Sequence, residues 1–337
     1  MEFDYKGIII KLSIVLNIVV CFVFFQQFLF GVSLSFDNEE FFVSNFPESV
    51  TSPGLILFKE IEKDSLRVLY HHKNISDSTL NLVVLIYNLS HQSASITLQK
   101  GLGGSTEDVV FAGHKAAAQF AKQIMGEAKL LDVPASSSYQ YIKHTIKPNQ
   151  TSSGIFRIQR PKNSRIAVKV VMVDKDLPHL TGFFDTPSLL DQYRIASFNE
   201  SIRSLLVNFN CADVIGSFEV GGPPYLKDHL LNYELKGNYG LIYTVKLVLS
   251  NSLSSKRHVS LFLSPKKKNS VDRGVVIVDG QLKEIGVLNY KNKQVMMQNF
   301  HTVSLAPNEK KVIELITFPQ SGCFYPIDII MKSSEII

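Results

Sequence analysis

The sequence predicts a mainly β protein: two tandem β-sandwiches, one helix inserted in the first, behind an apolar N-terminal segment. Three observations carry this. Short runs of apolar residues alternate at period two along most of the 337 residues, an order of strand ends and turns recurs in the two halves, and a single Ala/Lys/Gln-rich stretch stands among them. Hydrophobic residues make up 45% and charged residues 19%, so the chain has the material for a core and is not disordered. Its length suits about two domains.

The N-terminus comes first. Lys6 and Lys11 precede a stretch, Leu12 to Phe36, that carries no charge. A basic lead before an apolar run is an export signal. The run is also long enough to cross a hydrocarbon core of about 30 Å at 1.5 Å per residue. Gly31-Val32-Ser33 offers small residues for cleavage. Signal peptide and retained membrane anchor both fit residues 1–35, and both place the chain after about residue 36 outside the cytoplasm. Cys21 follows Ile18-Val19-Val20, which lacks the small residues of a lipoprotein signal.

The strand pattern follows. Leu66-Val68-Tyr70, Leu82-Val84-Ile86, Ile96-Leu98, Ile166-Val168-Val170, Tyr243-Val245-Leu247-Leu249, Val259-Leu261-Leu263 and Ile313-Leu315 each alternate. Period two turns one face to a core and the other to water. Polar turns such as Asn74-Ile75-Ser76-Asp77 and Ser250-Asn251-Ser252 separate the runs, and many short strands so spaced predict sandwiches or barrels. Ala112 to Met125 is the exception: its composition favours a helix, with Ala117, Phe120 and Ile124 on one face and Gly126 as a C-cap. A weaker helical stretch spans Leu189 to Leu206, opened by Asp185-Thr186-Pro187.

The halves look duplicated. Val83 to Ser90 aligns with Lys246 to Leu253, pairing Asn88 with Asn251 at a strand end. Ile146-Lys147-Pro148-Asn149 aligns with Leu305-Ala306-Pro307-Asn308, and Pro161-Lys162-Asn163-Ser164 with Pro319-Gln320-Ser321-Gly322. This order resembles extracellular bacterial immunoglobulin-like domains, with Asn where that pattern favours Gly; Asn tolerates the left-handed backbone of a turn. The resemblance implies immunoglobulin-like sandwiches at 38–178 and 208–333, a connector at 179–207, and a bacterial envelope address. In bacteria the Asn-x-Ser/Thr sites at Asn74, Asn88, Asn149 and Asn199 are not expected to carry sugar.

The chemistry-bearing residues are sparse. His71 and His72 point to opposite faces of a strand. His72, His114 and His144 are the candidates for a metal, since imidazole suits zinc or copper, yet no His-Glu-x-x-His or Cys-x-x-Cys spacing supports them. Gly101-Leu102-Gly103-Gly104-Ser105-Thr106 reads as a glycine-rich loop ahead of a helix. Gly103, Gly104 and His114 are therefore ligand candidates, since free N–H groups at such a place cradle anions. No Gly-Lys-Ser/Thr ending makes it a phosphate loop, and no Gly-x-Ser-x-Gly occurs. Lys266-Lys267-Lys268 is a basic run able to meet an anionic polymer or headgroups. Cys211 and Cys323 are a candidate disulfide in an oxidising compartment. Three Cys exclude a disulfide-dense scaffold and a four-thiolate zinc site.

The net charge of +5 is too small and scattered for a nucleic-acid footprint. No catalytic motif and no cofactor motif is present. The expectation is a non-enzymatic exported or membrane-anchored envelope protein that presents β-sandwich surfaces to a wall polymer or to a membrane or envelope protein. The alternatives are a metal-dependent or carbohydrate-active enzyme using His72, His114 and Asp108, and an assembly factor for a membrane complex. No Trp occurs among the 35 aromatic residues, which argues against a glycan ligand, although Tyr can serve as a stacking platform. No feature specifies an oligomeric state.

Overall fold

A computed structural model describes residues 38–46, 48–126, 128–174, 194–228, 233–267, 270–291 and 294–335. Contacts divide the chain into Met1–Ser35 and Phe36–Ile337, and all that follows concerns the second unit. The N-terminal segment, Lys268 and residues 189–193 lie outside the described residues. Among the described residues no helix is long and apolar enough to cross a membrane.

The protein is mainly β. The first half runs β1 (Glu39–Phe46), β2 (Ser49–Val50), β3 (Gly54–Glu60), β4 (Ser65–Asn74), β5 (Leu80–Asn88), β6 (Ala94–Thr106), α1 (Val109–Met125), β7 (Lys129–Val133), β8 (Ser137–Ile146), β9 (Thr151–Gln159), β10 (Ile166–Val173) and β11 (Arg194–Phe198). The second runs β12 (Ile202–Asn210), β13 (Ile215–Val220), β14 (Leu226–Lys227), β15 (Glu234–Leu235), β16 (Ile242–Ser250), β17 (Arg257–Pro265), β18 (Val271–Val278), β19 (Gln281–Lys291), β20 (Gln294–Val295), β21 (Gln298–Leu305), β22 (Lys310–Thr317) and β23 (Ile327–Glu335).

The two halves share a topology over nine strands each, while β2 and β11 in the first and β14, β15 and β20 in the second have no counterpart. One sheet of the first half has the order β11-β1-β4-β9-β6-β7; its counterpart in the second is β12-β16-β22-β18-β19-β20. In each, the first of the corresponding strands pairs in parallel with its neighbour, β1 with β4 and β12 with β16, while β9 and β22 pair antiparallel to them. The four-stranded partner sheets are β3-β10-β5-β8 and β13-β23-β17-β21.

Alternation decides what is buried. Leu66, Val68, Tyr70, Leu82, Val84, Ile86, Ile96, Leu98, Ile158, Ile166, Val168 and Val170 share one core cluster of the first half. β5 and β10 are buried on both faces: Val83, Leu85, Tyr87, Ala167, Val171 and Val173 form a second, separate cluster, with the fully buried Lys169 on the same face of β10. Such near-continuous apolar runs mark strands buried on both sides. In the second half the alternating residues of β16, β17 and β22, from Tyr243 through Leu315, are likewise buried.

The turns correct one alignment. Asn251 N donates to Glu309 O (3.0 Å) and Asn308 N to Asn251 O (2.8 Å); Asn74 N donates to Gln150 O (2.9 Å) and Asn149 N to Asn74 O (2.7 Å). Asn149 and Asn308 both hold positive φ, 64° and 62°. The partner of Asn251 is therefore Asn74, not Asn88. Each buried amide also staples its own turn, Asn74 Nδ2 to Ser78 O (2.7 Å) and Asn251 Nδ2 to Ser255 O (2.9 Å). Asn88 repeats the device one strand later, donating to Gln92 O (2.8 Å) and Val133 O (2.9 Å), which is why the sequences aligned out of step.

The helix begins three residues before Ala112, because Asp108 Oδ1 accepts from Phe111 N (2.8 Å) and caps it. Gly126 closes it, donating to Lys122 O (3.1 Å). The second expected helix is absent where it is described. Arg194–Phe198 and Ile202–Asn210 are strands, because β11 pairs with β1 and all nine residues of β12 pair with β16.

Candidate functional site

The glycine-rich run lies in strand β6, not in a loop, and only Glu107 and Asp108 separate that strand from α1. A Cβ at Gly101 would stand 2.0 Å from Ala116 O, and one at Gly103 1.7 Å from Ala112 O. These glycines let the helix lie directly on the strand. Gly104 has φ 95° and would meet Thr151 O at 2.2 Å. Gly103 faces Ser153 in the β6–β9 ladder, and Leu102 N donates to Gln119 Oε1 (3.0 Å). The backbone donor of Leu102 is spent on the helix rather than presented to an anion.

The other side of α1 meets the second half. A Cβ at Gly113 would fall 1.7 Å from Ser321 O, and one at Gly322, where φ is 77°, 2.3 Å from Val109 O. Phe120 and Phe318 meet edge to face at 5.9 Å, and the Arg273 guanidinium lies 5.6 Å from the Phe111 ring centre. Lys122 Nζ pairs with Glu284 Oε1 (2.9 Å), and His114 Nε2 lies 3.7 Å from Glu284 Oε2. His114 is buried, and that burial, with Arg273 beside it, lowers its pKa. Away from the helix, Gly240 closes on Phe41 and Leu69, and Arg67 Nη2 donates to Ser201 O (2.6 Å).

Between these contacts lies a cleft of about 360 Å³. Asn45 of β1, Glu48 between β1 and β2, and His71 of β4 line it from the first half, Val109 and Val110 from the start of α1, and Tyr239 and Ser321–Phe324 from the second half. His71 is 3% exposed, and neither of its ring nitrogens makes a hydrogen bond. The nearest charge is Glu48 Oε1, 3.6 Å from Nε2. That contact lowers the pKa of the Glu48 carboxyl, against an opposing burial cost and with help from His72 and Lys73. The Tyr239 hydroxyl donates to Cys323 O (2.9 Å), and its ring meets Tyr325 edge to face at 5.9 Å. Phe324 is half in solvent, with the Lys267 ammonium 3.6 Å from its ring centre and its N–H donated to Asp272 Oδ1 (2.6 Å).

The cleft presents hydrogen-bonding groups and apolar walls, and its thiol is not activated. Burial pushes the Cys323 thiol up to about 12, so it stays protonated and is a poor nucleophile. Gln320 Nε2 donates to its sulfur at 3.0 Å. Cys211 and Cys323 are both buried and free, so they form no disulfide. The three candidate metal histidines lie apart in separate surroundings: His72 Nε2 bonds Ser44 Oγ (3.0 Å), His144 Nδ1 bonds Ser152 Oγ (2.6 Å), and His114 Nε2 lies 3.7 Å from Glu284, beyond hydrogen-bond reach. Among the described residues no three His, Cys, Asp or Glu are placed to hold a metal ion.

The basic run is partly neutralised. Lys266 pairs with Glu219 and lies 3.6 Å from Asp328 Oδ1, and Lys267 sits on Phe324. His71 is the residue that sequence reasoning passed over in favour of His72. The alternation of Arg67, Leu69 and His71 with Leu66, Val68 and Tyr70 is legible in the sequence, but the burial of that second face shows only in the fold.

No family model matches the chain, and no curated protein matches its sequence. Among solved structures it is similar to Fet3p, a multicopper oxidase that functions in iron import, at 10% identity over 85% of this chain and 62% of that one, with a TM-score of 0.13. It is similar to the CUB1-EGF-CUB2 domains of rat MASP-1 at 9% identity over 85% and 98%, TM-score 0.20. It is also similar to the CBM22-1-CBM22-2 tandem of Paenibacillus barcinonensis Xyn10C at 9% identity over 87% and 97%, TM-score 0.16. The chain spans about three fifths of the length of Fet3p and of Lac15 from a marine microbial metagenome. Likeness of this size carries neither topology nor activity.

Proposed function

We propose that this chain is a non-enzymatic binding protein of the bacterial envelope, exported or membrane-anchored through residues 1–35. Its two halves are tandem immunoglobulin-like sandwiches, the first taking in β1–β11 and the second β12–β23. The residues after about 36 work outside the cytoplasm, and the partner is a wall polymer. The observation that carries the binding reading is the junction cleft. It holds a buried histidine with no internal hydrogen bond and an amide from the first half, two aromatic rings from the second, and a thiol kept protonated. The basic lead and apolar run support the address, and the repeated strand order supports the tandem sandwiches.

Co-sedimentation of the full chain, in detergent, with purified wall material across a salt series tests this. Saturable binding that largely survives salt is expected, because the cleft is not cationic and Lys266 already has acidic partners. Failure to sediment at any salt concentration overturns the wall-polymer reading.

A further inference from the structure

We infer that the junction cleft binds a neutral, hydroxyl-bearing ring, a single sugar residue of a glycan. The assignment rests on the binding reading above and names its ligand and its site.

The charges narrow the ligand first. Glu48 lies in the lining with its pKa lowered, and Asp272 holds the backbone of Phe324 beside it. The Lys267 ammonium is seated on the Phe324 ring. An anionic ligand would meet a carboxylate here and no guanidinium or ammonium among the lining residues.

Hydrogen bonding narrows it further. An imidazole presents two ring nitrogens to hydrogen bonding; His71 Nε2 has only Glu48 Oε1 at 3.6 Å, beyond hydrogen-bond reach, and Nδ1 has no hydrogen-bond partner. Leaving a buried polar group unserved is costly. A hydroxyl donates and accepts, so two neighbouring hydroxyls, or one hydroxyl and a water, satisfy both nitrogens. An ammonium only donates and would leave the imidazole N–H unserved. The Asn45 amide and the Tyr239 hydroxyl, whose proton goes to Cys323 O, add a donor-acceptor pair and a free acceptor. Val109, Val110 and the Tyr239 and Phe324 rings supply the apolar wall that the C–H face of a sugar ring packs on. About 360 Å³ sits at the small end of ligand sites, which span roughly 300–1,000 Å³. That room suits one ring rather than an extended chain.

The test is NMR of the His71 ring in the full chain, assigned by loss of its signal in His71→Gln. The probes are glucose, N-acetylglucosamine, ethanolamine and inorganic phosphate. At least one sugar is expected to move the His71 signal saturably, and ethanolamine and phosphate are expected to leave it in place. Asn45→Ala and Glu48→Gln alter side chains at the mouth, so a normal melting temperature can be checked in each. Each is expected to weaken sugar binding about tenfold, one hydrogen bond's worth. The inference is overturned if neither sugar moves His71, if ethanolamine or phosphate does, or if both folded variants bind sugar unchanged. Wall sedimentation that persists while no sugar reaches His71 removes the cleft and leaves the binding reading; loss of both removes both.

Discussion

Glu39→Gln probes a carboxylate buried between two guanidinium groups. The Glu39 side chain is fully buried; Oε1 accepts from Arg157 Nε at 2.8 Å and Oε2 lies 3.1 Å from Arg67 Nε. Arg67 is itself fully buried, stands 4.5 Å from the Phe41 ring centre, and reaches Ser201 O at the start of the second half. Burial lowers the Arg67 pKa and Glu39 opposes that shift. Replacing the carboxylate by an amide keeps the volume and removes the anion between two buried guanidinium groups. Breaking such a pair costs about 3–5 kcal/mol. At roughly 2–4 °C per kcal/mol for chains of this order of size, the melting temperature should fall by roughly 6–20 °C. Scanning calorimetry reads this directly. Adding Arg67→Met to Glu39→Gln should recover part of the loss, since one uncompensated cation is then gone. A fall of less than about 2 °C, or a double variant worse than the sum of the single ones, refutes the reasoning.

Four further outcomes follow from the same structure. Gly113→Ala should loosen the junction by about 1–3 kcal/mol, because the new Cβ meets the Ser321 carbonyl and not a yielding side chain; faster proteolysis within 318–324 is the readout. Asn251→Ala and Asn74→Ala should each cost roughly 2–4 kcal/mol by urea melts, since each amide serves carbonyls that are left without a donor. His114 and His144 have pKa values lowered by burial, so below pH 6.5 the unfolded chain takes up protons that the folded one refuses. Stability should therefore fall as pH drops from 6.5, by at most about 1.4 kcal/mol per pH unit per histidine, with a smaller slope in His144→Gln. Cys211 and Cys323 should resist iodoacetamide at pH 8 in the native protein and react after denaturation, as read by peptide mass spectrometry.

Much of this fold is legible in the sequence because period two is a property of single strands. The alternating residues of β4, β5, β10, β16, β17 and β22 need no tertiary partner to be recognised, and each set is buried. The helix is legible for the same reason, since its propensity is local. What escaped depends on contacts far along the chain. Glycine is permissive in a loop and equally permissive beneath a helix, so Gly101 and Gly103 read alike in both until Ala112 and Ala116 are placed against them. Residues 194–206 carry apolar spacing that suits either period, and pairing with β1 and β16 decided it. The Asn staple occurs at two successive strand ends of the first half, so short matching picked Asn88 where the ladder picks Asn74. His71 was visible as a residue and invisible as a site, since Tyr239 and Phe324 stand about 170 and 250 positions later.

A duplicated topology makes two equivalent sheet faces, and symmetry of that kind gives no reason for one place to bind and another not to. The helix breaks the equivalence. In the first half α1 is inserted between β6 and β7; in the second the corresponding β18 and β19 are joined by the tight turn at Asp279 and Gly280. The outer side of β6 and β9 is thus sheathed, and the glycines at 113 and 322 bring the sheath against the other half. The cleft forms where that contact stops short. Its histidine and carboxylate come from the first half and its tyrosine and Phe324 from the second, so neither copy of the duplicated unit holds the site. The energetic investment in the junction, with a buried Arg–Glu–Arg cluster and three glycine approaches, is what keeps two sets of side chains in register. A ligand site assembled this way is sensitive to small rotations between the halves, which is why Gly113→Ala, remote from His71, should disturb it before it unfolds the chain.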